Sequence, residues 1–294
     1  MGRLFIWVPV LISDIFYAVQ KSRITNKGVF PLKVALGQFA VQPDWHENLD
    51  ICFDLIKRAA GKEADLLVLP EGILAQDMAD PDLIPKTAQP LDGAFITRLA
   101  AETLKYPTLT IAGCLPIPDG KDRFYNTLLV IKNGQIIAQY RKLHLYDAFS
   151  HQESRSITAG DSLPPLVEIA GFKVGLMICY DLRFPELARR LVLEGADALI
   201  LPAAWVKGSG KEAHWDILVK ARALENTCYM IAVGECGQRN IGNSMVVDPL
   251  GVAIARAGEE PALIMAELFH KRIAHARDIL PVLHNRRFLP PKFI

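Results

Sequence analysis

The sequence predicts a layered α/β fold built on mixed sheets. Two features carry that prediction. Short apolar runs alternate with segments whose apolar residues recur at intervals of three and four, the pattern of strands feeding helices. Hairpin signals interrupt this alternation, so the sheets are not purely parallel.

The elements are taken in chain order. Residues 34–41 form a first strand. Residues 46–60 form a helix, with Leu49, Cys52, Phe53, Ile56 and Ala60 on one face. Residues 66–69 read as a buried strand ending at Pro70-Glu71. Residues 93–105 are helical and 109–114 are a strand. Residues 126–130 and 135–140 flank Lys132-Asn133-Gly134, a hairpin with an explicit turn signal. The second half repeats the style. A hairpin around Gly171 leads into an apolar strand, Val174 to Ile178, closed by Cys179. Pro185 suits the first turn of a helix over 185–194. A strand at 198–201 ends at Pro202, and a helix at 212–225 leads to a strand at 229–233. Short strands near 244–247 and 252–255 are joined by Asp248-Pro249-Leu250-Gly251. A strand at 262–267 and a helix at 270–278 complete the chain. No strong boundary interrupts residues 33–294, which are expected to form one domain.

Residues 1–32 are expected to be an extension, non-native or poorly ordered. Residues 4–19 are largely apolar between Arg3 and Lys21, but Asp14 interrupts them and no A-x-A-like site comes after. An export or membrane-surface segment and an additional packed helix are the alternatives. The stretch is shorter than the roughly 20 residues that span a bilayer, so no stable membrane insertion is expected.

Composition narrows the function classes. With 33 basic against 32 acidic residues and no long basic tract, nucleic acid is not an expected partner. Five cysteines, odd in number and without a C-x-x-C pair, argue against a disulfide framework and for a reducing, cytoplasmic setting. Dinucleotide, phosphate-loop, G-x-S-x-G and H-E-x-x-H patterns are absent. His144 and His151 could reach one metal in a folded loop, but polar loop or supporting roles fit scattered histidines better.

Three apolar strands or hairpin edges lead to residues of catalytic type: Glu71, Lys142 and Cys179. A free thiol has a pKa near 8.5 and attacks modestly at neutral pH. A carboxylate can take its proton, and a lysine can hold the oxyanion that forms on a carbonyl. By residue type alone each has a structural alternative: a salt-bridged strand end, a solvated charge and a buried thiol.

The motifs around these residues decide between those alternatives. Leu69-Pro70-Glu71, Tyr140-Arg141-Lys142-Leu143-His144-Leu145 and Cys179-Tyr180-Asp181-Leu182-Arg183-Phe184-Pro185-Glu186 stand in this order. In them the chain resembles the nitrilase-like carbon–nitrogen hydrolases across about residues 33 to 290. The resemblance implies a four-layer αββα sandwich. It also implies a catalytic triad with Glu71 as general base, Lys142 as oxyanion-stabilising cation and Cys179 as nucleophile. It adds the Tyr180 backbone N–H as an oxyanion donor and Glu153, within Gln152-Glu153-Ser154, as a second glutamate. A solvent-facing loop acid is the alternative for Glu153. No metal or organic cofactor is implied, because these groups supply every charge that the acyl transfer requires.

Further segments, among them Pro202-Ala203-Ala204-Trp205, Ala213-His214-Trp215 and Gly242-Asn243-Ser244-Met245, resemble the branch that hydrolyses deaminated glutathione. The implied substrate is a small anionic amide, with ω-amidase activity on α-ketoglutaramate or succinamate as the neighbouring alternative. A catalytically silent interaction module is the rival from another class. An anionic substrate needs cationic donors, and Arg183 and Arg222 are the candidates. Each has a helical partner at i+3, Glu186 and Glu225, that could engage it instead. Trp205 could line the acyl pocket or fill the core. His214 and Trp215 could brace the site. The resemblance implies a homodimer, with a larger closed assembly open.

Overall fold

The computed structural model describes residues 30–77, 80, 83–149 and 151–294. The readings of residues 1–29 therefore lie outside the described residues. Among the described residues, no helix is long and apolar enough to cross a membrane.

Two six-stranded sheets form the centre. The first contains β1 (Leu32–Gln38), β2 (Leu66–Val68), β3 (Thr110–Pro118), β4 (Phe124–Lys132), β5 (Gln135–Arg141) and β14 (Ala262–Leu268), in the order β14-β1-β2-β3-β4-β5. The second contains β8 (Val167–Ile169), β9 (Phe172–Leu176), β10 (Ala198–Ala203), β11 (Tyr229–Gly234), β12 (Met245–Val247) and β13 (Ala253–Arg256), in the order β13-β12-β11-β10-β9-β8. Each sheet has three parallel strands, β1-β2-β3 and β9-β10-β11, extended by antiparallel neighbours. The mixed sheets result from the hairpins that the sequence signals.

Side-chain alternation builds the layers. Leu32, Val34, Leu36, Leu66 and Val68 of the first sheet pack with Val174, Leu176, Ile200 and Ile231 of the second. This core lies between the sheets. On its other face the first sheet uses Ala35, Leu67 and Ile111 against α1 (Trp45–Gly61) and α3 (Ala94–Thr103). The second uses Leu199, Leu201 and Met230 against α4 (Pro185–Leu193) and α5 (Lys211–Asn226). Both faces of both sheets are covered, which explains the continuous apolar runs. The result is the expected four-layer αββα sandwich.

Local chemistry sets the element ends. Asp44 caps α1 by accepting the His46 N–H at 2.8 Å, and Pro185 opens α4 where a missing N–H costs nothing. One buried side chain joins the two halves. Gln38 donates to the Gly258 and Glu260 carbonyls and accepts from the Ser244 N–H and hydroxyl. Beside it, a Cβ on Gly234 would stand 2.0 Å from the Gly242 carbonyl oxygen, so only glycine allows this approach.

Among the described residues, four α-helices and β-strands lacked a sequence signal. They are α2 (Leu83–Thr87), α7 (Val282–Asn285) and the hairpin of β6 (Asp147–Ala148) and β7 (His151–Gln152). All are too short to show a period. The strand expected to close on Cys179 also ends earlier, at Leu176. Cys179 instead opens a 3-10 turn, Cys179–Arg183, with a left-handed φ of 40°. The last helix of the core region, α6 (His270–Ile279), comes after β14 as its spacing predicts.

Candidate active site

The sandwich delivers its polar strand ends to one edge. Glu71 follows β2, Lys142 follows β5 and Cys179 follows β9. Glu71 is buried, and its Oε1 accepts from Asn126 Nδ2 at 2.7 Å and from Lys142 Nζ at 3.0 Å. Its Oε2 accepts the Ala204 N–H at 2.8 Å, just beyond β10 in the opposite sheet.

Lys142 is 2% exposed. It also donates to Glu153 Oε1 and Oε2, at 3.0 and 2.9 Å. One ammonium is therefore shared by two carboxylates. The β6–β7 hairpin explains how Glu153 returns to Lys142. Asp147 pairs with Gln152, so Tyr146 and Glu153 fall opposite each other at the next position. The Tyr146 N–H donates to Glu153 Oε2 at 2.7 Å, and the Glu153 N–H to the Tyr146 carbonyl.

Charge distribution at this edge is directional. Burial opposes ionisation of Glu71, but Lys142, the Cys179 thiol and the Ala204 N–H hold its carboxyl below its ordinary value. Burial also opposes the charge on Lys142, yet Glu71 and Glu153 raise its pKa well above the usual lysine range. Cys179 is half-buried. Desolvation and the Glu71 charge push its thiol well up, and only Lys142 opposes them appreciably. The resting set is thus a thiol, a carboxylate and an ammonium.

Asp181 fixes the turn that carries Cys179. Fully buried, it accepts the Ile178 N–H and Tyr140 hydroxyl through Oδ2, each at 2.8 Å. Its Oδ1 takes the His144 N–H at 3.3 Å and lies 2.7 Å from His144 Nδ1. Tyr140 and His144 flank Lys142, so one carboxylate ties the lysine segment to the cysteine turn. The Tyr180 N–H lies in the first turn of the 3-10 segment, where it has no acceptor inside that turn.

A cavity of about 1100 Å³ opens at this edge, lined by Glu71, Asn126, Lys142, Glu153 and Ala204 together with Tyr146, Phe149 and Lys211. Cys179 is not a lining residue; it stands against Glu71. The expected substrate residues do not line the cavity either. Arg222 is buried, with Nε donating to the Leu182 carbonyl at 3.0 Å and Nη1 to Glu225 at 2.7 Å. Trp205 is 4% exposed, donates Nε1 to the Lys211 carbonyl and packs on Trp215, a core role. Arg183 lies over the Trp205 ring, 4.8 Å from its centroid, and 3.4 Å from His214 Nδ1 rather than on Glu186. Trp215 donates to the Asn243 carbonyl.

His144 lies on Asp181, and His151 packs against Tyr146. Among the described residues no group of three or more His, Cys, Asp or Glu side chains could hold a metal. Sequence reasoning missed Asn126, Tyr146 and Lys211. Asn126 opened an expected strand and Tyr146 lies one residue beyond the Tyr140–Leu145 motif, but neither residue type signals a role without its neighbours.

The carbon–nitrogen hydrolase family model matches residues 33–278. The chain is 52% identical over 261 residues to deaminated glutathione amidase from Escherichia coli O157:H7, covering 89% of this chain and 99% of that protein. It is similar to the crystal structure of Saccharomyces cerevisiae Nit3, a member of branch 10 of the nitrilase superfamily (TM-score 0.79, 30% identity, 90% of this chain and 99% of that one). It also resembles a variant of the amidase from Nesterenkonia sp. AN1 that shows covalent addition of the acetamide moiety of fluoroacetamide at the active-site cysteine (TM-score 0.76, 26% identity, 88% of this chain and 97% of that one). With a family match across most of the chain, an αββα sandwich and a thiol, carboxylate and ammonium gathered at its edge, the chain belongs to the carbon–nitrogen hydrolase family.

Proposed function

We propose that the protein is an amidase that hydrolyses deaminated glutathione to 2-oxoglutarate and cysteinylglycine through a Cys179 thioester. Membership of the family makes it a hydrolase of carbon–nitrogen bonds. The observation that carries the mechanism is the shared ammonium: Lys142 bonds both Glu71 and Glu153 while Glu71 faces the thiol. The 52% identity to the Escherichia coli amidase supports the substrate.

In this reading the thiol proton passes to Glu71 as the Cys179 sulfur attacks the amide carbonyl. The raised thiol pKa makes proton removal part of the attack rather than a prior equilibrium. Lys142 and the Tyr180 N–H hold the oxyanion. Collapse breaks the C–N bond, and Glu71 returns the proton to the departing amine. A water deprotonated by Glu71 then attacks the thioester, the C–S bond breaks, Glu71 returns that proton to the Cys179 sulfur, and the acid leaves. Glu153 keeps Lys142 aimed and charged throughout. The reading includes a cytoplasmic homodimer. The five free cysteines support the first, and exposed Ile217 and Leu224 on α5 with Ile279 on α6 support the second.

A substrate panel tests it. Preferential release of cysteinylglycine from deaminated glutathione is the expected result. Ammonia release from α-ketoglutaramate at higher kcat/KM would make the protein an ω-amidase, and no turnover by folded, reduced protein would overturn enzymatic activity. Cys179→Ser should lower kcat by at least about 10³-fold, since a hydroxyl is far harder to deprotonate than a thiol. Undiminished turnover would remove the nucleophile assignment.

A further inference from the structure

Lys211 is a second buried cation on the cavity wall, and the proposed acyl transfer does not use it. It opens α5 and is 7% exposed. Its ammonium donates to the Tyr146 hydroxyl at 2.7 Å. It lies 4.1 Å from the Phe149 ring centroid, 4.9 Å from that of Tyr146 and 5.7 Å from that of Trp205. Among the described residues no carboxylate comes within 4 Å of it. Three glutamates of the cavity wall are engaged elsewhere: Glu71 and Glu153 with Lys142, Glu235 with the Val41 and Gly237 N–H groups and the Asn240 amide.

A desolvated ammonium has three N–H groups to satisfy. One meets the Tyr146 oxygen. The aromatic faces offset part of the charge, but π-faces supply no oxygen acceptor. Because the Tyr146 hydroxyl accepts from Lys211, its own O–H is free to donate. An ammonium and a hydroxyl therefore present adjacent donors at a cavity surface, the arrangement that takes a carboxylate. Tyr146 also fixes where that carboxylate would sit relative to the reaction. Its backbone N–H holds Glu153, and its ring meets the Tyr180 ring edge-on at 5.0 Å, next to the nucleophile turn.

We propose that Lys211 and the Tyr146 hydroxyl form the subsite that binds a carboxylate of the substrate and gives the enzyme its preference for anionic amides. This rests on the amidase reading and deepens it. The carboxylate belongs either to the 2-oxo acid half or to the departing peptide.

The test compares succinamate with butyramide, which differ by a carboxylate in place of a methyl group. Lys211→Met should lower the ratio of their kcat/KM values by about 10- to 100-fold, the value of one charge-assisted hydrogen bond, mainly through KM. Lys211→Arg should restore part of the ratio. Calorimetric binding of 2-oxoglutarate and of cysteinylglycine identifies the source. Weaker 2-oxoglutarate binding by Lys211→Met assigns the acyl half, and weaker cysteinylglycine binding assigns the leaving half. An unchanged ratio together with unchanged binding of both ligands overturns the subsite. Equal losses on succinamate and butyramide with unchanged ligand binding also overturn it, leaving Lys211 a structural role. Wild-type protein that binds 2-oxoglutarate through Lys211 yet turns over no keto-acid amide would sink the amidase reading and leave the subsite standing.

Discussion

Replacing Lys142 by methionine removes one charge while nearly keeping the length of the side chain, and the geometry sets the cost. All three ammonium contacts to carboxylate oxygens disappear, one to Glu71 and two to Glu153. A buried carboxylate, Glu71, and a half-buried one, Glu153, then face each other without a cation. Removing one partner of a buried ion pair costs about 3–5 kcal/mol. The two pairs share the same ammonium, so their costs do not simply add. Glu71 retains Asn126 and the Ala204 N–H, and Glu153 retains the Tyr146 N–H, which places the loss near the lower end, about 3 kcal/mol. At roughly 2–4 °C per kcal/mol this lowers Tm by roughly 6–12 °C.

The penalty has a sign in pH. Without the cation, burial and the neighbouring Glu153 carboxylate raise the Glu71 pKa above that of the unfolded chain. The folded variant then binds more protons than the unfolded one, so its stability falls as pH rises above about 4.3, until the raised pKa is passed. Urea unfolding monitored by circular dichroism at pH 5 and pH 8 should therefore show the larger deficit at pH 8. Adding Glu153→Gln should recover part of the deficit in Lys142→Met yet destabilise the wild type. A deficit below about 1 kcal/mol at pH 8, or one independent of pH, would refute the shared-ammonium account.

Other tests probe the surrounding chemistry. The acid limb of kcat/KM should lie below about pH 4.3, because the folded-state pKa of Glu71 is depressed, and alkylation of Cys179 by iodoacetamide should keep rising above pH 9. A thiolate already formed at neutral pH, seen as a pH-independent alkylation rate between about pH 6 and 9, would contradict this. Asp181→Asn puts an amide NH2 either against both the Ile178 N–H and the Tyr140 hydroxyl or against the His144 N–H, and should cost about 1–3 kcal/mol with a fall in kcat; unchanged urea stability would remove its tethering role. Gly234→Ala forces its Cβ onto the Gly242 carbonyl and should destabilise by at least about 1–3 kcal/mol, measured the same way, with wild-type stability as the contrary result.

Much of the fold was legible because both faces of each sheet are covered. The strands therefore read as apolar runs, α1 announces itself by the spacing of its apolar residues and α4 by Pro185. Glu71, Lys142, Cys179 and Glu153 could be picked out because each sits beside an element end within a recognisable motif. Trp205, Arg183 and Arg222 lie off the cavity wall for a shared reason: sequence position shows that a residue is near the edge, not which way its side chain turns. Arg222 faces Leu182 and Glu225 within the packed layer. Lys211 escaped notice because its significance lies in three aromatic rings brought from 146, 149 and 205.

The carboxylate of Glu71 reaches from one sheet to the Ala204 N–H at the end of the other. Neither sheet alone possesses the set that the proposed mechanism uses, because Glu71 and Lys142 come after strands of one and Cys179 after a strand of the other. Catalytic competence is consequently a property of docking. The Glu71 contact to the Ala204 N–H exists only while the two sheets stand face to face, so a shift of one sheet against the other disrupts it even with every strand and helix intact. Activity is thus sensitive to the seating of the sheets, a property that a backbone signal such as circular dichroism does not read.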